Sequence, residues 1–599
     1  MNAVENSEIQ VITAVSDQNE ELTTEQVNTI KQKIYCPRLS FNAVCLKSKS
    51  AILALCWSLL AAVLQWYYSD PAVFIIIHGS FNNLTSVLIP VYGFFALLQL
   101  FYPLAGMLAD LRYGRYKCVL GSLWCLIFGF PFWLVLVGLV LFAVFPSAFK
   151  LSIMTVILVF LGVPTVIGIL LILSSIVVFN ANIIQFGLDQ LHDSPTEHLV
   201  LYIHWYVLLY YSGRLVFRLT FPPLLAHSFQ LITIPIVLFL LCYLLLLLSL
   251  CIGYRKRHTW FMRDTGSRNP YILVYKVLQF ARKHRYPVRR SAFTYCEDEL
   301  PSRLDLAKEK YGGPFTTEQV ENVKIFLSIM QVLVSLGPVF AVEKSTYLLL
   351  PGFSAHVSEY LYPFAVSFTI KDVLPLMLSI CITVFYIVLL RPFIYFLIPG
   401  MLRRIWFGVF FLLIPALFSF VADTVSHTSI SRSSECFLNV VNESNTINDG
   451  LSASVGIISP LFFIPNFFYS FGFLIFHIAI FEFICSQSPH SMKGLLIGAF
   501  YAIRGIFQLL GALLFMLPFL GWRKSSSFPS CGFIYYLINI IVALIGIVAY
   551  TWNARRYRNR QRDEPDNIYR YAEEYYDKSQ GEPSSGYDDY DNLNVHTIG

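Results

Sequence analysis

Apolar runs without charge recur along this chain, and a run of about 18 residues is long enough to cross a hydrocarbon core of about 30 Å as one helix. The bilayer is therefore the main solvent that the sequence is built for. Of 599 residues, 56% are hydrophobic and 13% charged, against about 25% charged in an ordinary soluble domain. A water-soluble globule is excluded by that balance. The net charge is only +6, and the basic residues gather at the ends of apolar runs instead of forming a stripe interleaved with aromatics. Nucleic acid is not an expected partner.

Runs near residues 51–69, 84–108, 118–145, 151–185, 199–225 and 229–254 give six expected spans, and a second six lie near 324–342, 372–398, 405–423, 457–485, 494–520 and 533–552. The expected fold is an all-α membrane protein of about twelve transmembrane helices in two six-helix bundles. Five segments follow: a polar N-terminal stretch (1–50), a first bundle (51–254), a linker (255–323), a second bundle (324–552) and a polar tail (553–599). Glu343 and Lys344 read as the exit of the seventh span.

Orientation follows from lysine and arginine near span ends, which are retained on the cytosolic side. Arg255, Lys256 and Arg257 follow span six, Arg555 and Arg556 follow span twelve, and Arg112, Arg115 and Lys117 lie between spans two and three. Both termini are then cytosolic, in a multi-pass protein of the plasma membrane or an endolysosomal membrane. The sequons at Asn83 and Asn442 fall on the opposite side, as glycosylation requires. Cys436 and Cys531 are the cysteines placed in external loops, so a disulfide between them is expected. The first fifty residues show no apolar core with a cleavage site, so no cleaved signal peptide is expected. The cysteines form no CxxC pair and no zinc-type spacing with histidine, and neither a metal nor another cofactor is expected.

An amphipathic helix is expected around Tyr271 to Arg285 in the linker, with Lys276, Arg282, Lys283 and Arg285 reaching toward anionic headgroups. In the tail, Tyr590-Asp591-Asn592-Leu593 fits a tyrosine-based pattern that a sorting adaptor reads.

The loop after span two reads Gly106-Met107-Leu108-Ala109-Asp110-Leu111-Arg112-Tyr113-Gly114-Arg115-Tyr116-Lys117. Its glycines permit a tight turn, and its charges are expected to pair across the two bundles. It resembles the corresponding loop of the major facilitator superfamily. Three further segments are more specific: Pro301 to Lys308 with Tyr311-Gly312-Gly313-Pro314-Phe315 before span seven, Phe186-Gly187-Leu188-Asp189-Gln190-Leu191 after span four, and Glu482 to Lys493 after span ten. Together they resemble the proton-dependent oligopeptide transporter family, as a divergent member. The resemblance implies two bundles that rock about a central cavity and move a small solute by alternating access. Family solutes include short peptides, amino acids and small anions, and the family couples their movement to protons.

Departures from the family pattern fall on its charged positions. An ExxER pattern in span one is replaced by Ala54-Leu55-Cys56-Trp57-Ser58, and Ala51 to Leu111 contains no Glu, Lys or Arg. The span-four lysine aligns with Asn180, the span-ten acid with Phe473, and an asparagine of span five with Tyr211. The resemblance therefore carries the fold further than it carries a peptide substrate or proton coupling.

Ionisable groups inside spans are costly, so each one present is a candidate functional residue. His204, Tyr211, Arg214 and Arg218 fall near one face of span five, where they can hold a carboxylate, or the two arginines can snorkel to headgroups. Arg504 lies well inside span eleven and is the best single candidate for a cavity charge. His477 and Glu482 in span ten are candidates for a gate or proton relay. No Walker-type loop and no nucleophile–base pair is present, so neither ATP-driven transport nor catalysis is expected. A secondary transporter of small polar solutes is the leading reading, and a non-transporting receptor or scaffold on the same fold is the alternative.

Overall fold

A computed structural model describes residues 46, 48–79, 93–144, 151–192, 194, 196–220, 233–257, 260, 270–284, 302–343, 373–391, 398–430, 463–489, 492–516 and 533–557. Asn83, Asn442, Cys436, Cys531 and Tyr590 lie outside these residues, so the proposed glycosylation sites, disulfide and sorting signal do too. Among the described residues every regular element is helical, and the single β-bridge joins Lys308 to Phe315 in the linker.

The first six helices are α1 (Lys49–Gly79), α2 (Gly93–Tyr113), α3 (Arg115–Val144), α4 (Leu151–Asp189), α5 (Thr196–Thr220) and α6 (Thr233–Arg255). The linker contains α7 (Pro270–Lys283). The second set is α8 (Thr317–Glu343), α9 (Leu374–Leu390), α10 (Met401–Ile430), α11 (Phe463–Gln487), α12 (Lys493–Leu514) and α13 (Phe533–Arg556). Each expected span overlaps one of these helices, and nine of the helices are long and apolar enough among the described residues to cross a membrane. The interior of a bilayer offers no water to backbone groups, so a helix that satisfies its own amides is the only open-ended solution.

Residue exposure is inverted relative to a soluble protein. Val237, Leu240, Leu244 and Leu248 form an exposed leucine-rich face of α6, and Ile541, Ile545, Val548 and Trp552 form one on α13. Spacing of three and four residues puts each set on one side of its helix, where only lipid can cover it. Glutamine, asparagine, histidine and the paired charges turn inward instead.

In the first six helices α3 packs along α4, and α1 packs on α4, α5 and α6; in the second six α10 packs along α11, and α9 and α13 flank them. The sets meet where α2 lies along α12 and α5 meets α9 and α11. Gly106 makes the first approach possible, since a Cβ there would stand 2.4 Å from the carbonyl oxygen of Gly494. Gln185 of α4 also meets Cys485 of α11, with its Nε2 3.5 Å from Sγ. The bundles are therefore closed on the side where the linker lies.

The turn between α2 and α3 uses Gly114 at φ +77°, a conformation that costs other residues but not glycine. Arg115, directly after it, donates from Nε to Asp110 at 2.8 Å and from Nη1 to Asp189 at 2.6 Å. The expected pairing across the bundles is corrected here, because all three residues belong to the first six helices. Asp110 instead rests against the bare backbone of Gly494, where a Cβ would come within 2.5 Å of its Oδ2. Arg112 and Lys117 are exposed on the same turn.

The linker docks on the second bundle. Thr316 caps α8 by accepting from the Gln319 amide at 3.3 Å while Gln319 Oε1 accepts from Thr316 N at 3.4 Å, a reciprocal cap that fixes where the helix begins. Asp305 accepts from Ser302 Oγ at 2.6 Å, Lys308 Nζ at 2.6 Å and Lys324 Nζ at 2.5 Å. Burial works against its charge, but the bonds from Lys308, Lys324 and Ser302 outweigh burial and hold the carboxyl well below the usual range. Burial likewise lowers Lys308, but hydrogen bonds to Asp305 and Glu321 raise it further, to about 12. Beneath these charges Val277, Ala307, Val320, Val323 and Met492 form a small apolar core.

Candidate functional site

Arg504 stands about three turns into α12, where its guanidinium meets the carboxylate of Glu343 at the end of α8. Nη2 donates to Oε1 at 2.6 Å and Nε to Oε2 at 3.2 Å. The Glu343 side chain is 1% exposed and that of Arg504 11%. Two charges out of water are tolerated only with such geometry, and further partners supply it. Tyr469 Oη donates to Glu343 Oε1 at 3.4 Å, and the Phe473 ring lies with its centroid 4.8 Å from the Arg504 guanidinium carbon. At the position where the resemblance expects an acid, an aromatic face thus meets the cation.

His477 extends this cluster. Arg504 Nη1 approaches its Nε2 at 3.5 Å, and because a guanidinium has only donors, Nε2 accepts. The ring proton is then on Nδ1, which donates to the Phe473 carbonyl at 2.9 Å. Tyr211 Oη stands 3.5 Å from the same Nδ1. Since Tyr211 belongs to α5, the cluster reaches both bundles.

The first bundle presents amides and phenols to this region. Asn180 Nδ2 donates to Gln65 Oε1 at 3.2 Å, in the place where the resemblance puts a lysine. Gln99 Nε2 donates to Gln508 Oε1 across the bundles at 3.0 Å, and Tyr102 lies against Tyr501 at 4.4 Å between ring centroids. Among the described residues, Gln99 Oε1 and Gln508 Nε2 are buried without a hydrogen-bond partner. Buried amides with unused capacity are what a solute with peptide-like or carboxylate groups would satisfy.

Where the ExxER pattern would lie, the chain is packed with rings. Trp57 is fully buried and stacks on Trp260 at 5.2 Å and Phe186 at 6.2 Å, both at 14°. Trp260 Nε1 donates to the Gly253 carbonyl at 3.1 Å, which fixes the ring. Ser58, in the arginine position, turns its hydroxyl back to the Ala54 carbonyl at 2.8 Å.

Other expected site residues fall elsewhere. His204 is separated from Tyr211 along α5 and lies toward the linker side, its Nδ1 2.7 Å from the Val200 carbonyl and its Nε2 4.0 Å from Glu482 Oε2. Glu482 is held bidentately by Arg404 of α10, at 2.9 and 2.6 Å. Arg214 lies over the Trp66 ring at 5.0 Å, and Arg218 is half-buried one turn beyond. The four span-five candidates therefore divide among three surroundings, and only Tyr211 joins Arg504 and His477.

Sequence reasoning missed Glu343 and Arg404. Glu343 reads in the sequence as the exit of the seventh span, and among the described residues α8 does end there, but its partner Arg504 is not visible in the sequence. The helix begins at its Thr316 cap, two turns before the expected start near residue 324. The Thr316-x-x-Gln319 capping signature was the available signal. Arg404 sits one turn into an apolar helix beside Arg403, and only pairing across helices separates their roles.

No protein-family model matches the sequence. Similarity appears in three dimensions. The structure of the POT family transporter PepTSo superposes with a TM-score of 0.55 at 14% identity, covering 86% of this chain and all of that one. An auto-inhibited POT family peptide transporter superposes with a TM-score of 0.52 at 16% identity, covering 86% of this chain and 98% of the other. The chain has the fold of these proton-dependent oligopeptide (POT) family transporters, at 14–16% sequence identity.

Proposed function

We propose that the protein is a secondary transporter of small solutes bearing a carboxylate, and that Arg504 is the group that receives it. The observation carrying this reading is the buried Glu343–Arg504 pair, linked through His477 to Tyr211 of the opposite bundle. In a low-dielectric site Arg504 can satisfy one carboxylate well. A solute carboxylate then competes with Glu343, and it wins only when Glu343 carries a proton. Solute and proton are thereby bound together, although the carboxylates of span one are missing. Short peptides and amino acids fit this chemistry, and the peptide transporters of the same fold are consistent with it. The linker and both termini are assigned to the cytosol, by the basic residues at the span ends.

The linker-side contacts complete the cycle. Arg404–Glu482 with His204, and Gln185 with Cys485, close the bundles below the site, and their separation would open it to the cytosol. The test is binding of a labelled dipeptide and its C-terminally amidated analogue to purified protein. The free carboxylate should bind more tightly as pH falls, and Arg504→Ala should abolish that advantage. Equal binding of the amide, or no binding across peptides, amino acids and small anions, would remove this reading and favour a receptor or scaffold.

A further inference from the structure

Between the start of α10 and the end of α13 lies a cavity of 560 Å³, remote from the Arg504 cluster. Its wall is made by Leu402, Trp406, Tyr550 and Ala554, and its rim carries Arg403 and Arg555. Both arginines are exposed, and neither has a hydrogen bond, ion pair or ring partner among the described residues. The wall is held in place: Tyr550 Oη donates to the Leu402 carbonyl at 2.8 Å, and Tyr557 Oη donates to Gln487 Oε1 at 3.4 Å. Thr551 also lines the cavity, but its hydroxyl is committed to the Ile547 carbonyl at 2.7 Å. The cationic rim is what remains for a ligand.

We propose that this cavity binds one anionic phospholipid of the leaflet on the linker side, with the phosphate between Arg403 and Arg555 and an acyl chain along Leu402, Trp406 and Ala554. Three observations select a lipid over a soluble anion. The arginines stand at the ends of two membrane spans, Met401–Val421 and Ile534–Arg556, where headgroups lie. The two spans that form the cavity also carry exposed apolar residues, Phe407 at 43%, Val548 at 68% and Trp552 at 60%, which acyl chains would cover. The lining joins apolar Leu402, Trp406 and Ala554 to cationic Arg403 and Arg555, the two kinds of surface that an anionic phospholipid needs. Basic residues at span ends ordinarily set topology, and a shaped cavity between two of them is the added feature. The assignment depends on the membrane fold and not on transport.

The test is fluorescence anisotropy of a labelled short-chain phosphatidylglycerol with the full-length purified protein in detergent. Wild type should bind it, and unlabelled phosphatidylglycerol should displace it where phosphatidylcholine and inorganic phosphate do not. Each of Arg403→Gln and Arg555→Gln should weaken binding roughly five-fold, and the double variant roughly thirty-fold. Ala554→Trp keeps both charges but fills the acyl slot, and it should weaken binding as well. Arg303→Gln, in the linker, should bind as wild type. Displacement by phosphate would overturn the lipid assignment, and wild-type binding by the double variant or by Ala554→Trp would overturn the site.

Discussion

The two bundles treat the region between them in opposite ways. The first six helices place Trp57 and Phe186, stacked on Trp260 of the linker, where the resemblance expects the ExxER pattern, and offer amides and phenols: Gln65, Asn180, Tyr102 and Tyr211. The second six bring the buried ion pairs Glu343–Arg504 and Glu482–Arg404. A stacked aromatic group has no protonation state to change, whereas a buried carboxylate beside a guanidinium does. Around Arg504 the first six helices thus offer neutral hydrogen-bonding groups such as Tyr211, and the carboxylate beside the guanidinium comes from the second six.

Breaking the charged side of this comparison should have the largest effect. Glu343→Gln leaves Arg504 buried without its counter-ion, at a cost of about 3–5 kcal/mol in stability. Adding Arg504→Gln should recover most of it, because two neutral groups replace two charges. Thermal unfolding in detergent reads both, and equal stability of single and double variants would mean that the pair is not coupled.

On the aromatic side, Trp260→Ala opens a void against Trp57 and Phe186 and should cost about 3 kcal/mol while leaving the pH dependence of solute binding unchanged. An altered pH profile would show that the first bundle also participates in the proton step. Glu482→Gln should cost less than either, about 1–3 kcal/mol, because Arg404 is 15% exposed and nearer to water on the linker side.

The smallest effect concerns the linker. Asp305 titrates lower when folded than when unfolded, so its contribution is complete above the unfolded value near 4 and is lost as pH falls below it. Lys308, raised to about 12, contributes fully below its ordinary value of 10.5 and loses that contribution as pH rises through 12. Hydrogen exchange of residues 302–311 should thus be protected evenly between pH 5 and 10. Undocking within that window would contradict the assignment of these charges.

Much of the fold was legible in the sequence, because lipid imposes length and apolarity on every span and each long run became a helix. The four motif segments, from Gly106-Met107 to Glu482-Phe483, carried the architecture as well. The site was legible in part. Arg504 and His477 stood out as interior polar groups, and Tyr211 as a departure from the family. What joined them was not visible, since Glu343 lies 161 positions from Arg504 and Asp189 lies 74 from Arg115. A one-dimensional reading gives each charge a depth along its helix but no partner across helices. For this reason the sequence suggests a partner for Asp110 across the bundles and shows none for Glu343.

The central claim is that Glu343 couples a proton to solute movement through Arg504. Its most direct test is uptake of a labelled carboxylate solute into liposomes with an imposed inward proton gradient and a protonophore control, comparing wild type with Glu343→Gln. Wild type should accumulate solute in a protonophore-sensitive way, while Glu343→Gln, with Arg504 permanently free of its competitor, should exchange solute without accumulating it. Gradient-driven accumulation by Glu343→Gln equal to wild type would contradict the account.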